Sequence, residues 1–279
     1  MSYASILEDR TVLSVRGPEA RDFLQGLITN DIGACAAGQA IYAALLTPQG
    51  KILFDFLIVA DGDGVLLDCA APRAADLMKR LTMYRLRAKV EIAAKPDLAV
   101  AALWGDGATP NMLHGLTVFA DPRYPALGLR AIATRDVLAR ALNDVTVGDY
   151  TSHRLAFAIP DSPDMPPDSV FALDAGLEEL NGVSFKKGCY IGQEVTARMK
   201  HRATARRRFV VAEFAGAAPP AGTALTSEGR ELGTLASGVN GKALALVRLD
   251  RLSEADEKHA PVTAAGLETH LKRPDWFHG

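Results

Sequence analysis

Three apolar runs between residues 41 and 70 limit most strongly what this chain can fold into. They cover residues 41–46, 52–59 and 65–70, and each has the length and composition of a buried strand. Only short turn signals separate them, first Pro48-Gln49-Gly50 and then an Asp-Gly-Asp-Gly sequence at 61–64. Because parallel strands need a crossover of about a dozen residues or more, this spacing predicts an antiparallel meander.

Strand and helix patterns follow one another irregularly on either side of this meander. Residues 11–15 alternate with period two, and residues 19–28 carry an apolar stripe at helical spacing. Further along, the same patterns predict helices over 72–84 and 134–144 and strands over 88–93, 100–103 and 128–132. Residues 150–159 fit either a strand or the start of a helix. This mixed order favours an α+β fold over a doubly wound sheet.

The sequence changes character from Phe209 onward. Short strand-like runs occur at 209–214, 223–226, 232–236 and 243–247, and glycines and prolines separate them. Short, evenly spaced strands with glycine turns favour a small β-barrel. We therefore predict an α+β region over residues 1–202, which can contain two interleaved subdomains, and a C-terminal barrel over residues 203–279.

The composition excludes several classes of protein. Hydrophobic residues make up 48% of the 279 residues and charged residues 23%, which is enough apolar surface for a buried core and too much for a disordered chain. The formal net charge of −2 gives no overall attraction to nucleic acid or anionic lipid. The apolar runs are shorter than the ~20 residues of a membrane helix, so we expect no membrane partner.

Cysteine and histidine usage indicates the compartment. Three cysteines are too few, and odd in number, for a disulfide framework, which indicates a reducing compartment. No C-x-x-C or H-E-x-x-H pair occurs, so we expect no permanent metal site. The N-terminal segment is acidic and lacks a long apolar region, so we expect the mature chain to begin at or near Met1 and the protein to be cytoplasmic.

The segment that is densest in chemically useful residues is 182–202, since phosphate-binding glycine motifs and a nucleophile elbow do not occur. Within it, Cys189 lies between Gly188 and Gly192 and follows Lys186 and Lys187. Glycines let a backbone approach a ligand closely, and neighbouring cations favour the thiolate. On this pattern a reactive cysteine and a buried cysteine in a tight turn are equally open interpretations.

The residues that follow Cys189 predict a helix starting near Gln193. Glu194 and Arg198 then stand at positions i and i+4 in the favourable order, and the helix N-terminus adds positive potential near the thiol. The candidate catalytic residues are therefore Cys189, Lys187, Gln193, Glu194 and Arg198.

A basic run follows this helix. Six cations fall within eleven residues: Arg198, Lys200, Arg202, Arg206, Arg207 and Arg208. Such a run can contact phosphates, but aromatic residues for base stacking are missing from it. A solvated connector into the barrel is at least as good an interpretation.

The segment from Lys187 to Glu194, followed after three residues by Arg198, resembles the K-G-C-[FY]-x-G-Q-E-x-x-x-[KR] signature of the YgfZ family. The longer run over 182–202 is more similar to the mitochondrial branch of that family than to the enterobacterial one. Similarity extends to residues 23–31, 46–56, 81–90 and 232–238, and so to most of the chain. The resemblance implies a T-protein-like ring of two α+β subdomains and a C-terminal barrel around a central channel.

The resemblance also implies that tetrahydrofolate or a derivative binds in that channel. Asp174 falls where T-protein relatives carry the pterin-binding glutamate, although its side chain is one carbon shorter. Asp55 lies near an acidic strand position that is functional in T-proteins, and a solvated strand-edge aspartate is an equally good interpretation. Further channel candidates in matched segments are Asn30, Asp31, Tyr84, Arg85 and Arg154.

Three functions follow from this resemblance. The first is a folate-binding accessory factor in the assembly or repair of [4Fe-4S] proteins, with iron-sulfur assembly factors or client proteins as partners. One cysteine cannot hold a stable cluster alone, so the chain would share a cluster with a partner, exchange sulfur, or use folate and the Cys189 thiol together in repair chemistry. The second is a folate-dependent aminomethyltransferase, although the K-G-C-x-x-G-Q-E segment argues against a glycine-cleavage enzyme. The third is an RNA-binding factor linked to tRNA modification.

Overall fold

The computed structural model describes residues 1–113, 115–203 and 205–277. Its strands are β1 (Tyr3–Ile6), β2 (Arg10–Arg16), β3 (Ala40–Leu46), β4 (Ile52–Asp61), β5 (Gly64–Ala70), β6 (Glu91–Ala94), β7 (Leu98–Trp104), β8 (Thr117–Ala120), β9 (Leu129–Thr134), β10 (Thr146–Val147), β11 (Arg207–Glu213), β12 (Ala224–Ser227), β13 (Arg230–Val239), β14 (Lys242–Arg248), β15 (Val262–Ala264) and β16 (Leu267–Lys272). The α-helices are α1 (Ala20–Gln25), α2 (Ala74–Arg85), α3 (Arg135–Ala141), α4 (Tyr150–Ala156), α5 (Gln193–His201) and α6 (Leu249–Glu257).

Two compact units divide the chain. The first comprises Met1–Gln49, Leu53–Tyr150 and Leu180–Gln193, and the second comprises Gly50–Ile52, Thr151–Glu179 and Glu194–Gly279. Both units are therefore built from segments that are discontinuous in sequence. The predicted division into residues 1–202 and 203–279 consists of two continuous segments, and it stays a prediction.

The first unit holds two sheets. One has the strand order β3-β4-β5-β2-β6, in which β4 and β5 pair antiparallel from Phe56 opposite Cys69 to Asp61 opposite Gly64. The meander over residues 41–70 is therefore confirmed. Helices α1 and α2 cover this sheet with residues such as Leu24 and Leu81, both completely buried in its core. The other sheet has the order β10-β1-β7-β9-β8.

The second unit contains the C-terminal barrel. Its strands close in the order β11-β14-β13-β12-β15-β16, so the barrel prediction is confirmed. Alternate residues of β11 and β14, such as Val210 and Ala245, point into one buried core, because successive strand side chains face opposite sides. Helix α6 follows β14 and adds Leu252 to this core, a helix that the strand-only prediction for this region missed.

Several element boundaries differ from the predictions for physical reasons. Helix α1 ends at Gln25 instead of residue 28, because Ile28 already forms a β-bridge with Leu45. Within residues 150–159, which fitted a strand or a helix, residues 150–156 form α4. Strands β1, β8, β10, β15 and β16 were not predicted, and β10 is only two residues long, too short for a periodic signal. None of the helices in the described part of the chain combines the length and apolar character needed to cross a bilayer.

Candidate functional site

The last segment of the first unit, Leu180–Gln193, carries the K-G-C motif, and we call it the motif loop. Hydrogen bonds tie its first half to the chain after α1. Thr29 Oγ1 donates to the Gly182 carbonyl at 2.6 Å, and the Ser184 amide donates to the Thr29 carbonyl at 3.0 Å. Asn30 Nδ2 donates to the Asn181 carbonyl at 2.8 Å. The loop is thus fixed to residues about 150 positions away in sequence.

Lys187 continues this attachment with its side chain. The ammonium donates to the backbone carbonyls of Gln25, Ile28 and Asn30 at 2.7, 2.6 and 2.9 Å. Burial lowers the pKa of Lys187 to about 8, and the negative charge of Asp31 opposes this shift. Lys187 was predicted as a catalytic cation beside the thiol, but its three protons are directed to backbone carbonyls. Its catalytic role stays a prediction.

Cys189 is exposed, whereas Cys35 and Cys69 are buried. The exposed position favours the reactive interpretation of Cys189 over the buried one. Burial raises the pKa of Cys35, and it raises the pKa of Cys69 to about 12. Gly192 has a φ of 83°, in the left-handed region, so a glycine suits the turn that follows the thiol.

Helix α5 begins at Gln193, as predicted. The Gln193 Oε1 atom accepts a hydrogen bond from the Tyr190 amide at 3.3 Å, which holds the turn against the first residue of the helix. Arg198 donates to Glu194 at 2.5 Å, so the predicted i, i+4 ion pair is confirmed. Both side chains are largely in solvent, and such pairs contribute little to stability.

A cavity of about 500 Å³ lies within the second unit. Its lining combines cations, one carboxylate and apolar groups: Lys51, Ser169, Phe171, Asp174, Val195, Met199, Arg206, Arg207 and Arg248. Residues 50–52 reach it because the Ile52 amide donates to the Val170 carbonyl at 2.9 Å, and Lys51 forms a β-bridge with Phe171. The Lys51 ammonium then stands 6.0 Å from the centre of the Phe171 ring.

Asp174 is the carboxylate of this cavity. Its Oδ1 atom accepts hydrogen bonds from the Arg206 and Arg207 amides at 2.9 and 3.2 Å. Burial raises the pKa of Asp174 above its ordinary value, although these two amides and the nearby guanidinium groups oppose that shift. The amides of Arg206 and Arg207 therefore orient the Asp174 carboxylate, which remains part of the cavity wall.

The basic run does not form one continuous surface. Arg208 is buried and pairs with Glu179 at 2.7 Å, and Lys200 pairs with Glu178 at 2.5 Å. Arg206 and Arg207 line the cavity, and neither guanidinium group forms an ion pair with the residues that the structure describes. These cations are thus divided between packing, surface pairing and the cavity.

The predicted folate residues of the first unit are engaged in local structure. Asp55 is buried and accepts a hydrogen bond from the Tyr42 hydroxyl at 3.2 Å. Asn30 also donates to the Tyr42 carbonyl at 2.8 Å, and Asp31 caps a short turn by accepting from the Gly33 amide at 2.9 Å. These contacts describe where the residues lie, and their folate role stays a prediction.

Three further candidates have equally clear positions. Tyr84 packs against the core of the first unit, and Arg85 is exposed and donates to the Val90 carbonyl at 3.3 Å. Arg154 is buried in the second unit and pairs with Asp164 at 2.7 Å. Of the residues predicted to bind folate, only Asp174 lines the cavity.

The cavity residues fit a folate. A pterin ring presents N–H donors that pair with a carboxylate, an apolar wall packs against the ring, and cations pair with the carboxylates of the glutamyl tail. The cavity provides these three features in one space of suitable volume. Its carboxylate is Asp174, its apolar wall consists of Phe171, Val195 and Met199, and cations complete its lining. Sequence reasoning missed Lys51, Phe171 and Arg248 at this cavity, although the Gln49-Gly50-Lys51 turn was in a matched segment.

Metal ligands are not grouped in the described residues. Residues 1–113, 115–203 and 205–277 contain no cluster of three or more histidine, cysteine, aspartate or glutamate side chains that could hold a metal ion. The exposed thiol of Cys189 is therefore a single donor within that part of the chain.

Comparisons with known proteins define the family. Residues 9–141 match the family described as the GCVT N-terminal domain, and residues 206–279 match the CAF17 C-terminal beta-barrel domain. The chain covers 86% of the glycine cleavage system aminomethyltransferase T from Bartonella henselae with 99% of its own length, at a TM-score of 0.79 and 18% identity. The fold is thus aminomethyltransferase-like, which confirms the predicted α+β class with a C-terminal barrel.

Curated relatives narrow this class. The chain is 32% identical to the mitochondrial iron-sulfur cluster assembly factor IBA57 of Homo sapiens over 97% of this chain and 84% of that protein. The Mus musculus protein of the same name gives the same identity and coverage. The chain belongs to the IBA57 family of iron-sulfur cluster assembly factors, and the CAF17 barrel model agrees with this assignment. The expected YgfZ membership is confirmed only as a relationship, since the matches are of the CAF17/IBA57 type.

One of the expectations needs correction. The relatives are named as mitochondrial, which points to a mitochondrial location, so the cytoplasmic prediction is wrong. A low cysteine number indicates a reducing compartment but does not distinguish one reducing compartment from another. The comparisons also give no support for RNA as a partner or for tRNA modification.

Proposed function

We propose that this protein is a folate-binding accessory factor in the assembly or repair of [4Fe-4S] proteins, and that Cys189 is its reactive thiol. The observation that carries the proposal is the contrast between one exposed cysteine on a firmly attached loop and two buried ones. The names of the IBA57 relatives support the role in iron-sulfur cluster assembly.

The folate part of the proposal rests on the cavity of the second unit. Asp174 would accept hydrogen bonds from the pterin, Phe171 and Met199 would pack against the ring system, and Arg206 and Arg207 would pair with glutamyl carboxylates. The aminomethyltransferase fold is a folate-binding fold in general, which supports this assignment. When bound, a tetrahydrofolate supplies a carrier for a one-carbon unit.

The thiol part follows from ligand number. A [4Fe-4S] cluster generally takes four thiolates, and the chain has three cysteines, of which Cys35 and Cys69 are buried. Cys189 would therefore provide one thiolate to a cluster whose other ligands belong to an assembly factor or a client protein. The cluster is cargo in this proposal.

Rescue of [4Fe-4S] enzyme activity tests the proposal. Cells that lack their own IBA57-type factor receive either this chain or its Cys189→Ala variant at equal abundance. We expect the parent chain to restore client activity and the variant to fail. A Cys35→Ala variant provides the control, because a buried thiol has no part in the proposal. Rescue by Cys189→Ala at the parental level would remove the thiol from the function.

The aminomethyltransferase function is a second candidate, because the fold matches that enzyme and Asp55 is a buried carboxylate held by Tyr42. The test is formation of methylenetetrahydrofolate from an aminomethyl donor. Turnover by the parent and its loss in Asp55→Ala, with folate binding retained, would establish the transferase. Folate binding without any turnover would exclude it.

A further inference from the structure

Two adjacent lysines of the motif loop have opposite environments. Lys186 is exposed, whereas Lys187 is only 7% exposed and its ammonium lies among three backbone carbonyls. The ring of Tyr190 faces the same ammonium at 5.1 Å. Lys187 therefore forms part of the packed interior, whereas the adjacent Lys186 lies on the surface.

The three carbonyls need a donor. Gln25 is the last residue of α1, so its carbonyl has no partner within the helix. A lysine ammonium carries three protons, and the carbonyls of Gln25, Ile28 and Asn30 take one each. Lysines commonly bond the last carbonyls of a helix, and here Lys187 does so from a distant segment. Because three donors meet three acceptors, the buried ammonium keeps its hydrogen bonds, which lowers the free-energy cost of burying its charge.

The geometry points to Lys187 as the positioning residue that fixes the part of the motif loop presenting Cys189. Its side chain fastens the loop to residues 25–30 immediately before Gly188, and Thr29 and Asn30 fasten the preceding part. The thiol thus stands at a defined point of an attached loop although it is exposed. This inference rests on the proposed role of Cys189 and assigns Lys187 no contact with the reacting atoms.

A neutral amine cannot maintain this attachment. It has two protons, so one of the three carbonyls loses its partner when Lys187 deprotonates. The pKa of Lys187, about 8 through burial, puts this loss just above neutral pH. The charged or titratable groups that face the ammonium are Asp31, which favours the charged form, and Tyr190 through its ring. Hydrogen exchange of the loop should therefore depend on pH in a way that a rigid surface loop does not.

The experiment compares Lys187→Met with Lys186→Met in the full chain. Amide hydrogen exchange is followed in peptides covering residues 184–190 and in peptides of β14. We expect Lys187→Met to lower the protection of the loop by roughly tenfold or more, with β14 unchanged, because three carbonyls lose their donor. Lys186→Met should leave both unchanged. Equal protection of the loop in all three proteins overturns the inference.

A second measurement covers the case in which Lys187→Met does not fold. Loop protection in the parent chain is measured from pH 7 to 9.5 and corrected for intrinsic exchange. Protection that falls through pH 8, in the loop and not in β14, supports the inference. Protection that stays constant across this range contradicts it. Lys187→Arg adds a stricter arm, since a planar guanidinium group does not match three converging carbonyls and should not restore protection.

The outcome is separable from that of the proposed function. If Cys189→Ala still rescues client enzymes, the thiol role fails whatever the loop does. If Cys189→Ala fails to rescue while Lys187→Met retains both full rescue and full loop protection, the proposed function stands and the positioning role of Lys187 is wrong. Loss of rescue in Lys187→Met, with Lys186→Met at the parental level, supports the inference.

Discussion

Arg130 on β9 donates from its Nη1 atom to Oδ2 of Asp68 on β5 at 2.9 Å, and both side chains are only 1% exposed. Asp68 also accepts from Arg10 Nε through its other oxygen at 2.7 Å. Strand β5 belongs to one sheet of the first unit and β9 to the other, so this ion pair joins the two sheets. Each oxygen of the Asp68 carboxylate has a guanidinium partner, and these two ion pairs offset the free energy of desolvation that burial of the charge requires.

Removal of Arg130 should be strongly destabilising. The Arg130→Met variant leaves Asp68 and Asp121 with a lost partner in the interior, and we expect the free energy of unfolding to fall by about 3–5 kcal/mol. Urea denaturation followed by circular dichroism measures this loss. The control is Arg135→Met, because the pair of Arg135 with Glu8 is largely in solvent and should not shift the midpoint. Equal midpoints for the two variants would contradict this prediction.

Asp121 extends the same network and makes it sensitive to acid. Burial opposes its ionisation, but the Arg123 and Arg130 guanidinium groups hold the pKa of Asp121 well below its ordinary value of 3.8. A carboxyl group with a lowered pKa stabilises the folded state above the ordinary pKa and loses that contribution as the pH falls below it. We expect Asp121→Asn to be less stable than the parent by about 3 kcal/mol or more at pH 7.

The pH dependence of this difference is the decisive part. Both proteins are unfolded with urea at pH 7, 4.5 and 3, and the free energies of unfolding are compared. The gap between parent and Asp121→Asn should narrow from pH 4.5 to pH 3, because Asp121 then takes up a proton in the unfolded parent and stabilises that state, while in the folded parent its lowered pKa keeps it ionised. A gap that stays constant down to pH 3 would show that this carboxylate contributes no charge-dependent stability.

The three cysteines should differ sharply in alkylation. With excess iodoacetamide at pH 7.5, we expect one label per folded chain, on Cys189, because burial raises the pKa of Cys35 and that of Cys69 to about 12. Three labels should appear in urea. Mass spectrometry of tryptic peptides identifies the sites, and Cys189→Ser should take no label when folded. Labelling of Cys69 at the rate of Cys189 contradicts the burial argument.

Gly176 allows a close contact that an alanine would prevent. Its φ is 75°, and a Cβ atom there would lie 2.8 Å from Cζ3 of Trp276. Gly266 has a similar φ of 79° with no atom within 4 Å of such a Cβ, so Gly266→Ala isolates the backbone cost of about 1 kcal/mol. We expect Gly176→Ala to cost a further 1–3 kcal/mol, roughly, from steric overlap.

The Trp276 contact is tested by shortening its partner. In a double-mutant cycle with Trp276→Leu, part of the steric cost of Gly176→Ala should be recovered, because the smaller side chain leaves space for the new methyl group. Thermal or urea unfolding of the four proteins gives the coupling free energy. Strict additivity of the two substitutions would show that the ring and the glycine do not constrain each other.

Local patterns predicted the features that depend on neighbours in sequence. The meander over 41–70 was predictable because its turns are short, and the start of α5 at Gln193 because a glycine precedes a helical run with a paired Glu194 and Arg198. The barrel was predictable from its glycine turns. Helix α6 was not, since its two buried apolar residues are too few to outweigh the strand-like sequence around it.

Features that depend on distant partners were not accessible from sequence. Lys186 and Lys187 have the same chemistry, and only the carbonyls of residues 25–30, about 160 positions away, separate their roles. Asp68 and Arg130 likewise lie 62 positions apart without a local signal for their pairing. In the candidate folate site, Asp174 was predicted from the family resemblance, whereas Arg248 lines the cavity because β14 pairs with β11 in the closed barrel.

Asp174 gives the folate proposal a pH dependence. Because burial raises the pKa of Asp174 above 3.8, the carboxyl group takes up a proton at a higher pH than an ordinary aspartate does. The protonated form loses the negative charge that pairs with pterin N–H donors. We therefore expect tetrahydrofolate affinity to fall as the pH is lowered through that raised pKa, which calorimetric titration from pH 7.5 down to pH 4.5 measures.

Asp174→Asn separates this effect from folding. The amide oxygen of Asn can still accept from the Arg206 and Arg207 amides, so the segment that carries residue 174 keeps its attachment to β11 while the charge is lost. Affinity at pH 7.5 should drop by roughly 10- to 100-fold, as expected when a hydrogen bond to a charged group is lost, and should vary less with pH than that of the parent. Asp256→Asn on α6, whose side chain is 61% exposed, is the matched control and should bind as the parent does. If Asp174→Asn binds with parental affinity and the parental pH profile, the pterin contact lies elsewhere, because no other carboxylate among the described residues lines this cavity.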